Sequence, residues 1–236
     1  MKRKGATFTG RNCILRRLPK AEWKRLQPNL ELITMARRTS LYEPNRPFDY
    51  VYFPETGVAS IVTVLNDGTE TEVATVGYEG IIGLPVFFGA ATVPGRAFWQ
   101  IPGDAFRLRA DLFRRESKNN GPLREALHRY AQGYFNQLAY TVSCNRSHSI
   151  QQRASRWLLM STDRVGRNRF ELTHEFLSHM LGVRRSGVTE VMGALQRARI
   201  LRYSRGVITI LNRHRLEAAA CECYAVVRDE FCRLLE

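Results

Sequence analysis

The chain has 236 residues, 44% hydrophobic and 25% charged, a balance that excludes a disordered polyelectrolyte and leaves room for one large or two small packed domains. Its net charge of +14 calls for a polyanionic partner. That charge is uneven: residues 51 to 106 hold one Arg against six acids, a local −5, so the rest of the chain carries +19.

No apolar run reaches the roughly 20 residues that a bilayer crossing needs, and the basic opening MKRKGATFTGRNCILRRLPK lacks the apolar centre of a signal peptide. A cytoplasmic protein with no membrane partner is expected. The five cysteines, Cys13, Cys144, Cys221, Cys223 and Cys232, are odd in number and lack C-x-x-C spacing. Reduced thiols are the simplest expectation, and no metal site is predicted. A second reading stays open, in which the Cys221-x-Cys223 pair and Cys232, nine residues on, are three soft ligands for a metal or an oxidation sensor.

Along the chain, residues 12 to 35 place Leu15, Leu18, Trp23, Leu26 and Leu30 around Pro19 and Pro28, which predicts short helices leading into a strand. From about 40 to 110 the texture turns to β: YVYFP, VASIVTVL, TEVATV and AFWQIP are punctuated by Gly and Pro at short intervals, as in a small sandwich or barrel. Two alternating runs meet at Asn66-Asp67-Gly68, residues that accept positive φ and so close a hairpin. In GYEGIIGLP, Gly77, Gly80 and Gly83 read as tight turns, with the alternative that their amides meet an anion.

Pro122 opens a helix over 122 to 142, in which Leu123, Leu127, Tyr130, Tyr134, Leu138 and Thr141 recur at steps of four, three, four, four and three. This near-heptad stripe predicts a dimer seam in preference to packing within one chain. A second helix is expected over about 149 to 163, ended by Gly166. In LTHEFLSHML, Thr173 reads as an N-cap and Glu175 sits in the first turn; Gly182 stops the helix.

After that turn Val188, Val191, Leu195 and Ala198 make a dry side, and Arg185, Ser186, Thr189 and Glu190 project opposite. Helix, glycine turn, helix is the helix-turn-helix pattern, whose second helix enters the major groove with its first turns. Arg185 has the fork for guanine O6 and N7, Glu190 can accept from cytosine N4, and Ser186 or Thr189 can reach a base edge or a phosphate. The stretch ILRYSRGVITIL then reads as a hairpin wing whose Arg202 and Arg205 can touch phosphates, and Arg184, just before the helix, joins the DNA-binding set. Eight Arg and two Glu between 172 and 215 give this region +6.

An architectural or RNA-binding protein, with charge supplying affinity without sequence preference, is the competing reading. An enzyme is not expected: Gly-x-Ser-x-Gly, His-Glu-x-x-His and the phosphate-loop Gly-Lys-Ser/Thr are all missing. The stretch SCNRSHS sets Cys144 near His148 but reads more simply as a hinge between two helices.

Taken together, the chain resembles the Crp/Fnr family of bacterial transcription regulators along nearly its whole length. The resemblance implies an α+β fold: an N-terminal β-roll, jelly-roll-like and cyclic-nucleotide-binding-like, over 1–121, a long dimerisation helix over 122–146, and a C-terminal winged helix-turn-helix over 147–236. Its most specific part is LTHEFLSHMLGVRRSGVTEVMGALQRARILRYSRGVITI, by which Arg185, Ser186 and Glu190 fall on the base-reading positions.

By the same resemblance the effector cassette falls on GIIGLPVFFGAATVPGRAFW. Gly83 matches its glycine, but Leu84 stands where the ribose-binding Glu would be, and Arg96 is followed by Ala97 in place of Ser. A leucine cannot accept ribose hydroxyl bonds, at about 1 to 3 kcal/mol for each donor left unpaired, so the expectation is an effector other than cyclic AMP, or none. An iron-sulfur cluster would need several N-terminal cysteines where only Cys13 lies, and all five His lie outside the β block that would hold haem; neither cofactor is expected. What the resemblance implies for partners is double-stranded DNA, a second copy of the chain on an inverted repeat, and RNA polymerase.

Overall fold

The computed structural model describes residues 8–235; residues 1–7, the basic start of the stretch searched for a signal peptide, and residue 236 lie outside the described residues. Two short helices, α1 (Cys13–Arg16) and α2 (Lys20–Leu26), bury Ile14, Leu15, Trp23 and Leu26 and lead through a 3-10 turn at Pro28 into β1 (Glu31–Met35). Asn12 starts α1, its Oδ1 accepting from the Leu15 N–H at 3.1 Å.

Then come β2 (Ser40–Tyr42), β3 (Tyr50–Pro54), β4 (Val58–Val64), β5 (Glu70–Val76), the single turn α3 (Leu84–Phe87), β6 (Arg96–Ile101) and β7 (Gly103–Arg109). All pairings are antiparallel, in a three-stranded sheet ordered β1-β7-β3 and a four-stranded one ordered β2-β6-β4-β5. The expected Asn66-Asp67-Gly68 turn closes the β4–β5 hairpin, with Gly68 at φ 81°.

The four-stranded sheet is apolar on both faces because successive side chains alternate across the pleat. Ala59, Ala97 and Trp99 point inward to a core shared with Val51, Phe53 and Leu108 of the other sheet. Val58, Val62, Phe98 and Ile101 point outward and pack against the C-terminal helices. One sheet therefore serves as floor of the β-roll and as dock for the second unit.

Helix α4 (Ala110–Lys118) turns the chain into the long α5 (Pro122–Ser147), with Pro122 in its first turn as expected. Next are α6 (Ile150–Val165), β8 (Arg169–Glu171), α7 (His174–Leu181), α8 (Arg185–Arg197), β9 (Leu201–Ser204), β10 (Val207–Ile210), α9 (Arg213–Ala219) and α10 (Cys223–Leu235). Ser149 and Gln152 form a capping box at the start of α6, and Gly166 ends it in the left-handed region at φ 71°. Among the described residues no helix is long and apolar enough to cross a membrane.

Two expectations change here. The C-terminal unit expected over 147–236 does not hold its last helix: Val227, Phe231 and Leu235 of α10 fold back into the β-roll core. Phe231 stacks on Tyr130 of α5 at 6.0 Å, in space left by Gly133, where a Cβ would lie 2.7 Å from the Phe231 ring. The proposed seam also divides. Leu123, Leu127 and Tyr130 are each 1% exposed or less and belong to the core of their own chain, because α1, α4 and α10 cover that half of α5. Only Tyr134, Leu138 and Thr141 of the predicted stripe remain half-buried at the surface.

Candidate nucleic-acid interface

Thr173 caps α7 through its hydroxyl, which accepts from Phe176 N–H at 3.2 Å, and Gly182 ends the helix at φ 60°. The next helix, α8, starts three residues later. Its dry side is Val188, Met192 and Leu195, all at most 1% exposed, with Val191 only half-buried. Met192, absent from the predicted stripe, takes the place expected of Val191, one residue round the helix. Arg184, Arg185, Ser186, Thr189 and Glu190 are all exposed on the other side.

The wing forms as expected from β9 and β10, turned at Arg205 (φ 48°) and Gly206 (φ 76°), which leaves Arg202 and Arg205 exposed. Strand β8, not among the elements expected from the sequence, adds a third strand to the wing through Phe170 and its pairing with β10.

One predicted reader is already engaged. The Thr189 hydroxyl donates to the Arg185 carbonyl at 3.0 Å, so its oxygen is left to accept from His174 Nδ1, 3.1 Å away. Burial and the neighbouring Arg185 charge lower the His174 pKa, favouring the neutral ring, whose Nδ1–H tautomer makes this bond. His174 also stacks on Tyr203 of the wing with ring centroids 4.2 Å apart. Thr189 and His174 thus tie recognition helix, first helix and wing into one body, a role invisible in sequence because the three partners lie 15 and 29 residues apart.

Buried polar bonds join this domain to the β-roll. Trp157 Nε1 of α6 donates to Glu72 Oε1 at 3.0 Å, and Ser60 Oγ lies 2.7 Å from Glu72 Oε2. Burial drives the Glu72 carboxyl up to about 7, against the lowering effect of those hydrogen bonds. Close by, Arg164 of α6 pairs with Glu79 at 2.8 Å and donates to Gln137 Oε1 of α5 at 3.0 Å; the Gln137 amide donates to the Thr75 carbonyl at 2.9 Å. Sheet, long helix and DNA-binding domain therefore meet in one dry network.

Between the four-stranded sheet and α5 lies a cavity of about 460 Å³ lined by Ile61, Val73, Val76, Leu84, Tyr134 and Leu138 among others, with no charged side chain. Of the predicted effector residues, Gly83 (φ 98°) and Leu84 line it. Arg96 does not: it pairs with Glu70 at 2.8 Å and stacks over Phe98, and Ala97 is sealed in the sheet. With no acceptor at Leu84 and the Arg96 charge spent on Glu70, these residues do not fit a cyclic nucleotide.

The cysteines regroup in a way that spacing did not indicate. Cys144 from the last turn of α5, His148 from the α5–α6 hinge, and Cys221 and Cys223 before and at the start of α10 bring their ligand atoms within 4.8 Å of one another; Cys232 stands apart from the set. The Cys144 thiol is held well below its ordinary pKa, chiefly by hydrogen bonding with Cys221 and further by His148 and Arg156.

An exposed polar helix face on a dry back, flanked by a basic wing, is the geometry of a winged helix-turn-helix, here with a β-roll built onto it. By sequence, residues 152–219 match the Crp-like helix-turn-helix domain family. That match covers the helix-turn-helix and its wing, and for the rest of the chain the likeness lies in the fold. No curated protein matches the sequence.

The whole fold is similar to FixK2 from Bradyrhizobium japonicum, at 17% identity, TM-score 0.68, covering 81% of this chain and 98% of that one. It is also similar to TTHA1359, a Crp/Fnr-family transcriptional regulator from Thermus thermophilus, at 20% identity, TM-score 0.63, covering 80% and 98%. A third is the c-di-GMP-responsive global regulator CLP of Xanthomonas campestris, at 13% identity, TM-score 0.64, covering 81% and 99%.

Proposed function

We propose that this regulator binds an inverted-repeat operator as a homodimer, reading bases with Arg185, Ser186 and Glu190 and gripping phosphates with Arg184, Arg202 and Arg205. The observation that carries this reading is the exposed row Arg185, Ser186 and Glu190 on a helix whose opposite side is fully buried. RNA polymerase is the protein partner such a regulator would recruit or block.

The dimer seam we assign to the apolar row of exposed Phe135 and Val142 with half-buried Ala131 and Leu138, one residue round the helix from most of the predicted stripe. Its steps of four, three and four keep the near-heptad, and Phe135 and Val142 are 67% and 71% exposed in the single chain.

The β-roll cavity suits a small apolar effector. Apolar walls without charge favour a neutral guest. A guest there would touch Tyr134 and Leu138 on the very helix that carries the seam, which gives an effector a route to the spacing of the two recognition helices.

Selection of bound duplexes from a random DNA library by the purified protein, at near-physiological salt, tests the reading. A two-fold repeat with half-sites about one helical turn apart is expected. Salt-sensitive binding with no sequence preference, persisting across a panel of small apolar compounds, would replace it with an architectural role.

A further inference from the structure

From the cluster at the hinge we infer that Cys144, His148, Cys221 and Cys223 are a Cys₃His site for a thiophilic divalent ion of the zinc type, which pins the hinge between the long helix and the DNA-binding domain.

Geometry carries the inference. Four ligand atoms lie within 4.8 Å of one another, with Cys144 Sγ to Cys221 Sγ at 3.5 Å and Cys223 Sγ to His148 Nδ1 at 3.7 Å. A tetrahedral zinc with bonds of about 2.3 Å to sulfur and 2.0 Å to nitrogen sets its ligands roughly 3.5 to 3.8 Å apart. These two pairs are already at that spacing and the remaining ones lie within 4.8 Å, so side-chain rotations alone can close the set on an ion. The same 3.5 Å is far longer than the roughly 2.05 Å of a disulfide, so Cys144 and Cys221 are placed as two thiols and not as a bridge.

The surroundings suit the ion as well. If Nδ1 ligates, Nε2–H is left to donate, and Glu222 Oε2 stands 3.3 Å from it, the carboxylate partner that fixes a ligating imidazole. Three thiolates and a neutral imidazole around a divalent cation carry a net −1, and the buried Arg156, whose charge acts on Cys144, offsets it. Cys144, Cys221 and Cys223 are buried, so the ion would be shielded from competing water.

Placement gives the site its consequence. Cys144 and His148 lie one helical turn apart at the end of α5, where the His148 N–H closes the last turn on the Cys144 carbonyl at 3.1 Å. Cys221 and Cys223 belong to the link that takes the chain from α9 of the DNA-binding domain back to α10 on the β-roll core. An ion would therefore join the two strands of chain that cross between the units. These ligands come from the C-terminal half of the chain and are separate from the β-roll cavity, so metal binding and effector binding are independent claims.

The test uses the full chain, stripped with a chelator under reducing conditions and titrated with Zn²⁺ against a chromophoric zinc chelator, and in parallel with Co²⁺. One tight equivalent per chain is expected, with the tetrahedral cobalt bands and thiolate-to-cobalt charge transfer of a three-sulfur site. Cys221→Ser and Cys223→Ser should each weaken binding at least 100-fold, Cys232→Ser should leave it unchanged, and His148→Cys should retain it with a four-sulfur spectrum. Circular dichroism shows whether each variant is folded, and His148→Cys, which keeps four ligands, guards against reading a folding defect as metal loss. Sub-stoichiometric binding, equal affinity in wild type and Cys221→Ser, or a metal-free Cys144–Cys221 disulfide in the protein as isolated would overturn the assignment.

Discussion

The winged helix and the β-roll present opposite chemistry to a partner. The first presents Arg184, Arg185, Arg202 and Arg205 to solvent on a rigid back, whereas the second encloses a cavity with no charged side chain and leaves Arg96 tied to Glu70. Charge displayed outside suits a long polyanion met from bulk water; an apolar interior suits a small guest that must leave water to enter. Between them run α5 and the buried network around Glu72 and Arg164, so what separates the two chemistries also couples them.

The coupling breaks most severely at the seam. Phe135→Asp with Val142→Asp places two carboxylates on the exposed apolar row while leaving the core half of α5 untouched. Monomers are expected by sedimentation, and operator affinity should fall on the order of 10²- to 10⁴-fold, because each half-site then binds without the effective concentration its neighbour supplied. Variants that stay dimeric would move the seam off α5.

Glu72 sets the next largest effect. Its pKa is raised in the folded protein to about 7, above the ordinary carboxylate value near 4.5, so the fold prefers the protonated acid. That contribution is full below about pH 4.5 and is lost as pH rises through 7, by at most about 3 kcal/mol at 1.36 kcal/mol per pKa unit. Urea unfolding of the wild type between pH 5 and pH 8 should show this decline, and Glu72→Gln, which mimics the neutral acid, should flatten it. An unchanged pH slope in the variant would mean that Glu72 is ionised without penalty in the folded state.

How far these parts were legible in the sequence follows from where their partners lie. Thr173, Gly182, the Val188 and Leu195 row and the Arg205-Gly206 turn are local signals whose causes sit within one turn of chain, and each appears where expected. Long-range assembly was not legible. Periodicity marked Leu123, Leu127 and Tyr130 as apolar but could not say that α10, nearly a hundred residues away, covers them. In the same way spacing offered Cys232 as companion to Cys221 and Cys223, whereas the fold brings Cys144 and His148. Leu84 and Ala97 were visible departures from a nucleotide cassette, yet the loss of Arg96 to Glu70 depends on a strand pairing that only the structure gives.

The finest test separates reading from gripping within the winged helix itself. Arg185 is exposed at the start of α8, where a guanidinium can meet guanine O6 and N7 together; truncation to Ala should cost about 1 to 3 kcal/mol at one base position and leave the others alone. Arg205, at the tip of the wing with φ 48°, is placed for a phosphate, which carries no sequence information. Arg205→Ala should therefore weaken all duplexes alike, by less than Arg185→Ala does at its own position, and reduce the slope of log affinity against log salt by about one. Titrations of both variants on the selected operator and on its single-base substitutions, at three salt concentrations, separate the two roles: a base preference unchanged in Arg185→Ala would remove that residue from the reading set, and an altered preference in Arg205→Ala would bring the wing into it.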